Sequence, residues 1–483
     1  MKERSKVEAD RLRKLEALKA RGIDPYGRRF PGALSVSEAR DKYVEGRENI
    51  RVCTAGRVTA LRRHGKAAFL DLRDSTGRVQ AYVRKDAVGE EPYEVFGLLD
   101  LWDIIGVEGD LGKTRTGEIT VFVQSFTVLS KSLAPPPEKW HGLTDVETRY
   151  RQRYTDLAAN PDVTEVFKAR VRIVRLIRNY LDNLGYLEVE TPMMHHIAGG
   201  AAAKPFITHH NTLDMDLFLR ISPELHLKRL LVGGLNRVYE INRNFRNEGI
   251  STRHNPEFTM MEMYEAFADL DVMMERTEGM IQFIRAELGL PEKLDWLDMT
   301  IDIASPWRRA GYWELFDRHV GIDRTDAAAL KRKAVEMQLD LVGTEKPVEL
   351  ADDLWQALVE PKLVDPVFVY DYPVELCPLA KSRTDDPTVA LRSELFIGCM
   401  EFANMYSELN DPAEQARRFR EQLADARGEW ARLDEDFVHA LEVGMPPAGG
   451  QGLGIDRLVM LFTGARSIRD VILFPLLRET PED

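Results

Sequence analysis

Residues 246–264 read RNEGISTRHNPEFTMMEMY. The stretch gathers Arg246, Glu248, Arg253, His254, Phe258 and Glu262 around a Gly249-Ile250-Ser251 turn. A strand, that turn and a returning strand would bring the cations, the aromatic ring and the carboxylates onto one surface. Such a surface could hold a nucleotide, with Arg and His taking phosphates, Phe a base, and the acids a metal or an amine. A charged hairpin that only seats Phe258 and the methionines in a core would read the same in isolation, so the rest of the chain has to decide.

Around the hairpin, from about residue 145 onward, strand and helix patterns mix without a break, which predicts one large unit. Val166–Leu184 carries a helical repeat that stops at Gly185, followed by a strand-like run Tyr186–Glu190 and then Pro192. A helical insertion is expected around residues 320–360. Upstream the texture changes. Five β-like runs, RVCTAGRVTAL (51–61), AAFLDLR (67–73), RVQAYV (78–83), LWDIIGVEG (101–109) and EITVFVQSFTVL (118–129), are separated by turns such as Ser75-Thr76-Gly77 and Thr116-Gly117. This spacing predicts a small five-stranded barrel of the OB type, a fold that often binds single-stranded nucleic acid. Pro135-Pro136-Pro137 cannot continue a strand and reads as a stiff linker. Residues 8–20 read as a helix with Leu12, Leu15 and Leu18 on one side, stopped by Gly22 and Pro25. The expected domains are 1–134 (helix and barrel), 135–144 (linker) and 145–483.

The bulk properties agree with this division. A chain of 483 residues exceeds what one core sustains. Apolar residues at 44% and charged residues at 30% exclude general disorder. No run approaches the roughly 20 apolar residues of a membrane span, and MKERSKVEADRLRK has no apolar signal segment behind it. A cytoplasmic protein without a membrane partner is expected. Cys53, Cys377 and Cys399 are too scattered for a disulfide framework or a zinc site and are expected to be buried, reduced thiols. The net charge of −13 argues against coating nucleic acid with the whole surface but leaves room for a local site. Residues 1–30 hold ten Lys or Arg against five Asp or Glu, charge that could meet nucleic acid or only solvate a helix face.

Three patterns imitate binding motifs and are set aside. GVEGDLGKT (106–114) has five residues between its first glycine and Gly112-Lys113 where a P-loop needs four, and it reads as a barrel turn with no following helix. Gly449-Gly450-Gln451-Gly452-Leu453-Gly454 has the wrong spacing for a dinucleotide fingerprint and no βαβ context. The pairs His195-His196 and His209-His210 would face opposite ways on a strand, which favours structural roles over shared ligation.

The hairpin is not isolated. It closely resembles motif 2 of the class II aminoacyl-tRNA synthetases, and ISPELHLKRLLVGGLNRVYEINRNFRNEGISTRHNPEFTMMEMY (221–264) resembles the lysyl-tRNA synthetases among them. GLGIDRLVMLFTGARSIRDVILFP (452–475) resembles their motif 3, the region around YLEVETPMM (186–194) their dimer-forming motif 1, and LRSELFIGCMEFANMYSELNDPAEQ (391–415) their amino-acid pocket segment. Four motifs in family order identify the chain as a member of that family along nearly its whole length.

The resemblance implies an α+β fold: a class II antiparallel sheet flanked by helices, preceded by an OB-fold barrel. It implies a homodimer that activates lysine with ATP and magnesium and transfers it to tRNA(Lys). Arg246 would hold the α-phosphate and the substrate carboxylate, Phe258 and Arg457 would sandwich adenine, and Glu248, His254 and Asn255 would complete the nucleotide contacts. Glu394 and Glu401 would carry Mg2+, whose hardness suits carboxylate oxygen. Gly200 and Glu224 would receive the α-amino group, with Asn404 near the carboxylate, while Glu262, Tyr264, Tyr406 and Glu408 would surround the side-chain ammonium. Arg57, Phe69 and Gln80 would read the anticodon, though each could be an ordinary barrel-face residue. The basic N-terminal helix would touch tRNA backbone.

The sequence departs from the family where many bacterial members have EIGNGFSELND. Here Ala403, Met405 and Tyr406 alter the pocket wall, and Lys204 replaces the usual Arg of GGAxARPF. Rival readings are a paralogue that lysylates protein or lipid, an aspartate- or asparagine-activating relative, and a non-catalytic RNA-binding regulator. Aspartate would require cationic partners where Glu262 and Glu408 stand, and a regulator would not need Arg246, Glu394, Glu401 and Arg457.

Overall fold

The computed structural model describes residues 5–47, 49–137, 143–201, 203–341, 345–425 and 433–478. The chain divides into two compact units, Met1–Thr164 and Glu165–Asp483.

In the first unit a helix spans Lys6–Ala20 and buries Leu15 and Leu18. It begins two residues earlier than the expected residue 8 because Ser5 and Glu8 form a capping box that satisfies its first free amides. Strands β1 (Ile50–His64), β2 (Ala67–Arg73), β3 (Arg78–Arg84), β4 (Ile104–Lys113) and β5 (Ile119–Ser130) close a barrel in the order β1-β2-β3-β5-β4. Along β1, Val52, Thr54 and Val58 are buried between more exposed neighbours, the period-two pattern that points alternate side chains into a barrel core. Residues 106–113 of the rejected phosphate motif lie within β4 rather than in a turn, paired along their length with β5. Their backbone N–H groups serve the sheet and cannot cradle a phosphate. Pro135-Pro136-Pro137 follows the end of β5 in irregular backbone, and residues 138–142 of the expected linker lie outside the described residues.

The second unit contains β6 (Leu187–Glu188), β7 (Met194–His195), β8 (Ile207–His210), β9 (Met215–Leu219), β10 (Arg237–Phe245), β11 (Glu257–Ala266), β12 (Lys293–Trp296), β13 (Met299–Asp302), β14 (Arg308–Gly311), β15 (Val367–Pro373), β16 (Val389–Ile397), β17 (Met400–Ser407) and β18 (Ala448–Gly454). One eight-stranded sheet runs β14-β15-β16-β17-β18-β11-β10-β6. It is antiparallel from β15 to β10, with parallel pairs only at its two edges. GGQGLG is therefore sheet strand β18.

Two expectations shift in detail. The run Tyr186–Glu190 narrows to the two-residue β6, and the helix before it begins at Pro161. The outgoing strand of the central hairpin ends at Phe245, so residues 246–256 are all connecting loop, closed at its base where the Arg246 N–H donates to Pro256 O at 2.8 Å. The expected helical insertion contains helices Ala327–Glu336 and Pro347–Leu358, whose Leu330, Leu350 and Leu354 share a core with Phe316. Residues 342–344 of that insertion lie outside the described residues.

Period-two alternation explains how the sheet makes a site. Met261 and Met263 on β11, Ala403 and Met405 on β17, and Leu453 on β18 face one core, against Ile281 and Leu458 of the helices Leu270–Leu288 and Ile455–Thr463. The intervening residues must then face the other side.

Candidate active site

Register aligns those intervening residues in two rows across the sheet. One row runs Glu394, Asn404, Gly452, Glu262; the other runs Arg392, Tyr406, Gly450, Tyr264. A cleft of about 1140 Å3 opens over them. Every residue expected at ATP, lysine or metal lines it except Glu408, which lies beneath the wall at 1% exposure.

At one end of the cleft three acids converge. Glu262 Oε1 accepts from Ser222 Oγ at 2.8 Å and its Oε2 from the Tyr264 hydroxyl at 3.1 Å. Burial first, then the neighbouring Glu224 charge, pushes Glu262 up to about 8. Glu224 begins the helix Glu224–Val232, and its Oε1 accepts from Lys228 Nζ at 2.6 Å. That ammonium also lies 2.5 Å from Glu408 Oε2, while Glu408 Oε1 is buried with no hydrogen-bond partner among the described residues. Burial raises the Glu408 pKa; the pull of Lys228 opposes the rise and Glu224 adds to it. Close packing holds the cluster: a Cβ on Gly450 would meet Glu408 Oε1 at 2.0 Å and the Tyr264 ring at 2.4 Å. Gly200 borders the same acids with φ +85°, a left-handed conformation that favours glycine, and a Cβ there would lie 3.2 Å from Glu224 Cβ.

Cations and rings occupy the other end. The Arg246 guanidinium lies 5.1 Å from the Phe258 ring centroid, and its Nε is buried without a hydrogen-bond partner. The hairpin loop brings His254 Nε2 to 3.2 Å from Arg457 Nη2. Burial, and then Arg457, lowers the His254 pKa, so this imidazole is neutral near pH 7. Asn255 is buried, with Nδ2 donating to Glu257 O at 2.6 Å and Oδ1 unpaired. Glu248 lines the cleft from the loop with high exposure.

Glu394 and Glu401 stand beside this cationic end, with Glu401 Oε2 3.7 Å from Arg457 Nη1. Glu394 accepts the Tyr372 hydroxyl at 2.7 Å and also bonds Arg392. Burial raises it against the pull of Arg392, the Glu401 charge adds to the rise, and the net is about 7. Among the described residues no group of three or more His, Cys, Asp or Glu converges as a metal cluster. Two carboxylates under mutual repulsion suit a hard divalent cation that takes its remaining ligands from phosphate oxygens and water. The residues present therefore fit magnesium.

Sequence reasoning missed Lys228, Ser222, Tyr372 and Arg392. Arg392 Nε donates to Asn404 Oδ1 at 3.3 Å, and its guanidinium lies 4.6 Å from the Tyr372 ring and 5.8 Å from Tyr406. The only advance signal for Lys228 was its place four residues after Glu224 on a helix.

On the barrel, Phe69 and Tyr82 stack at 4.4 Å, and Tyr82 meets Phe122 edge-on at 5.8 Å. Phe69 pairs with Tyr82, and Tyr82 with Phe122, across β2, β3 and β5. Gln80 lies on β3, two residues before Tyr82, and accepts from Thr120 Oγ1 of β5 at 3.0 Å. Arg57 stands apart: it donates to Trp102 O at 3.1 Å and lies 5.5 Å from that indole.

His195 is buried and His196 exposed, whereas His209 and His210 are both exposed because β8 leaves both faces open. Of the thiols, only Cys377 is buried; Cys53 and Cys399 are partly exposed, and all three are free.

Sequence comparison fits this geometry. Residues 145–478 match the family described as tRNA synthetases class II (D, K and N), and residues 52–129 match the OB-fold nucleic acid binding domain. A lysine–tRNA ligase of Pelotomaculum thermopropionicum is 54% identical over 97% of this chain and 94% of its own length. Those of Syntrophomonas wolfei and Moorella thermoacetica are 50% and 51% identical, over 98% of this chain and 97% and 98% of theirs. The chain belongs to the class II tRNA synthetases, within the lysine–tRNA ligase family.

Proposed function

We propose that the protein is a lysine–tRNA ligase that joins lysine to ATP as lysyl-adenylate, releases pyrophosphate, and passes lysine to the 3′ end of tRNA(Lys). The observation that carries the choice of lysine is the buried trio Glu224, Glu262 and Glu408, with Glu408 Oε1 lacking a donor. Three buried carboxylates that share one internal cation, Lys228, stay short of positive charge until another cation reaches them, and the substrate's side-chain ammonium is that cation.

Glu224 and Gly200 hold the α-amino group, and Asn404 and Arg246 hold the carboxylate. Glu262, Tyr264, Tyr406 and Glu408 enclose the ε-ammonium. Phe258 and Arg457 take adenine, and Glu248, His254 and Asn255 take the remaining nucleotide contacts. The substrate carboxylate attacks the α-phosphorus in line, the bond to pyrophosphate breaks, and Arg246 neutralises charge gathering at that phosphate. No protein nucleophile is needed, since positioning and charge neutralisation lower the barrier. Magnesium held by Glu394 and Glu401 would supply further neutralisation of phosphate charge. A terminal ribose hydroxyl of tRNA then attacks the acyl carbon and AMP leaves.

Residues 1–134 serve tRNA binding, with Phe69 and Gln80 and, from its separate place on the barrel, Arg57 reading the anticodon, and the basic helix on the backbone. Residues 135–144 link them to the catalytic region, 145–483. Exposed Leu187, Met194 and Ile207, at 53%, 56% and 59%, support a homodimer through the motif 1 region. A cytoplasmic setting goes with the charging of tRNA; separately, none of the described helices is long and apolar enough to cross a membrane. The test is ATP–pyrophosphate exchange screened across the common amino acids. Lysine alone should support it, and exchange with aspartate exceeding that with lysine would overturn the reading.

A further inference from the structure

Lys228 has no part in the chemistry described above and is buried beneath the cleft wall, yet it joins two carboxylates of the amine pocket. Its side chain is fully buried, with Nζ 2.6 Å from Glu224 Oε1 and 2.5 Å from Glu408 Oε2. It therefore bridges the carboxylate read as the α-amino receptor and one of the two read as side-chain receptors. Burial opposes its charge, and the two carboxylates overcome that opposition, so the ammonium stays protonated.

Counting charges gives this arrangement a purpose. Once ammonium groups are bound and the acids give up their protons, Glu224, Glu262 and Glu408 bring three negative charges, and Lys228 returns one positive charge. Arg246, whose charge acts on Glu262, is matched by the substrate carboxylate. The pocket remains short of two positive charges. An ordinary amino acid brings one ammonium; a diamino acid brings two.

We propose that Lys228 is the built-in counter-ion of the pocket: by bridging Glu224 and Glu408 it sets the charge deficit of the loaded pocket at two, which selects a substrate carrying two ammonium groups. This rests on the lysine reading above. Without Lys228 the deficit of the loaded pocket would be three, Glu408 would hold its proton more tightly, and a bound diamino acid would leave one carboxylate unbalanced. The groups facing this cluster are Glu224 on the same helix, Glu262 and Tyr264 from β11, Tyr406 from β17, Glu408 beyond it, and Arg246 from the hairpin loop. Lys228 is a positioning residue, acting through Glu224 and Glu408.

The test is lysine-dependent pyrophosphate exchange from about pH 6 to about pH 9, a range that brackets the pocket acids, in wild type, Lys228→Met and Lys228→Arg. Lys228→Met should lose roughly 100-fold or more in lysine kcat/KM at neutral pH. Its ATP KM should stay within about threefold. Its acidic limb for lysine should move up by about one pH unit or more, because Glu408 has lost the cation that favours its charged form. Lys228→Arg should return the limb toward the wild-type position. A Lys228→Met enzyme whose limb stays in place, or whose lysine and ATP constants worsen alike, would show a merely structural pair and overturn the proposal. If Lys228→Met does not fold, Lys228→Gln is measured instead, since its amide can donate to a carboxylate without adding charge; an unmoved limb there is equally fatal. Failure of the lysine reading would appear in the wild-type amino acid screen, whereas failure of the counter-ion appears only in the variants.

Discussion

Glu262→Gln removes one charge from the amine pocket and leaves its shape. The amide oxygen can keep the 2.8 Å contact with Ser222, so lost charge should dominate the effect. Breaking one half of a desolvated charge pair typically costs about 2 to 5 kcal/mol, or roughly 30-fold to several-thousand-fold in lysine kcat/KM. The protonation state of Glu262 tempers that figure. With Glu262 pushed up to about 8, about one empty pocket in ten is ionised there at pH 7, and expelling the proton costs about 1.4 kcal/mol. The sign follows directly: the substrate ammonium favours the carboxylate, so wild-type lysine use is strongest above about pH 8 and falls as pH drops through that value. Glutamine does not titrate, so the ratio of wild type to mutant should be largest at high pH and shrink toward pH 6. Pyrophosphate exchange measured against lysine, and separately against ATP, gives both constants, and the ATP KM should change little. Glu408→Gln belongs in the same series. If both variants keep lysine kcat/KM within about threefold of wild type, under roughly 0.7 kcal/mol, the ammonium sits elsewhere and the pocket is misassigned.

Arg246→Ala should abolish exchange while circular dichroism and melting show an intact fold, since the lost charge acts where negative charge gathers in the transition state. Near-normal exchange by the folded variant would remove Arg246 from the mechanism. Phe69→Ala should lower kcat/KM for tRNA by about 5-fold to 150-fold, the value of one base stack at roughly 1 to 3 kcal/mol, with lysine-dependent exchange unchanged; equal charging by both proteins would remove the ring from RNA contact. Gly450→Ala should reduce lysine kcat/KM by about tenfold or more by displacing Glu408 and Tyr264, because its Cβ would otherwise lie 2.0 Å from the Glu408 carboxylate; wild-type lysine constants in the variant would show that the pocket floor yields without cost.

The barrel strands were legible because alternation is local: each of β1 to β5 carries its own inside-outside pattern within one run of residues. The cleft residues were legible through motifs whose order along the chain matches a family, and the sheet register then brought Glu262, Asn404 and Glu394 into one row. The hairpin was placed a few residues off because its outgoing strand, Arg237–Phe245, is stabilised by pairing on both sides, which a local pattern does not reveal. Residues 106–113 were misread as a turn for a similar reason, as Gly106, Gly109 and Gly112 suggest a loop until β5 is laid beside them.

Lys228 and Arg392 escaped because their meaning is purely tertiary. Lys228 is one cation on a helix until Glu408, far along the chain, arrives at 2.5 Å. Arg392 gains its role only where Glu394, Asn404, Tyr372 and Tyr406 meet around it. The aromatic row Phe69, Tyr82 and Phe122 was one-third visible, since its members come from three strands.

The most direct measurement is charging of purified tRNA(Lys) by the full-length protein with ATP, magnesium and each labelled amino acid in turn. Lysine should appear at the 3′ end of the RNA, with AMP and pyrophosphate released in step with it, and the other amino acids should give background label. No lysyl-tRNA under conditions where the protein is folded, or stronger label from another amino acid, would contradict the assignment.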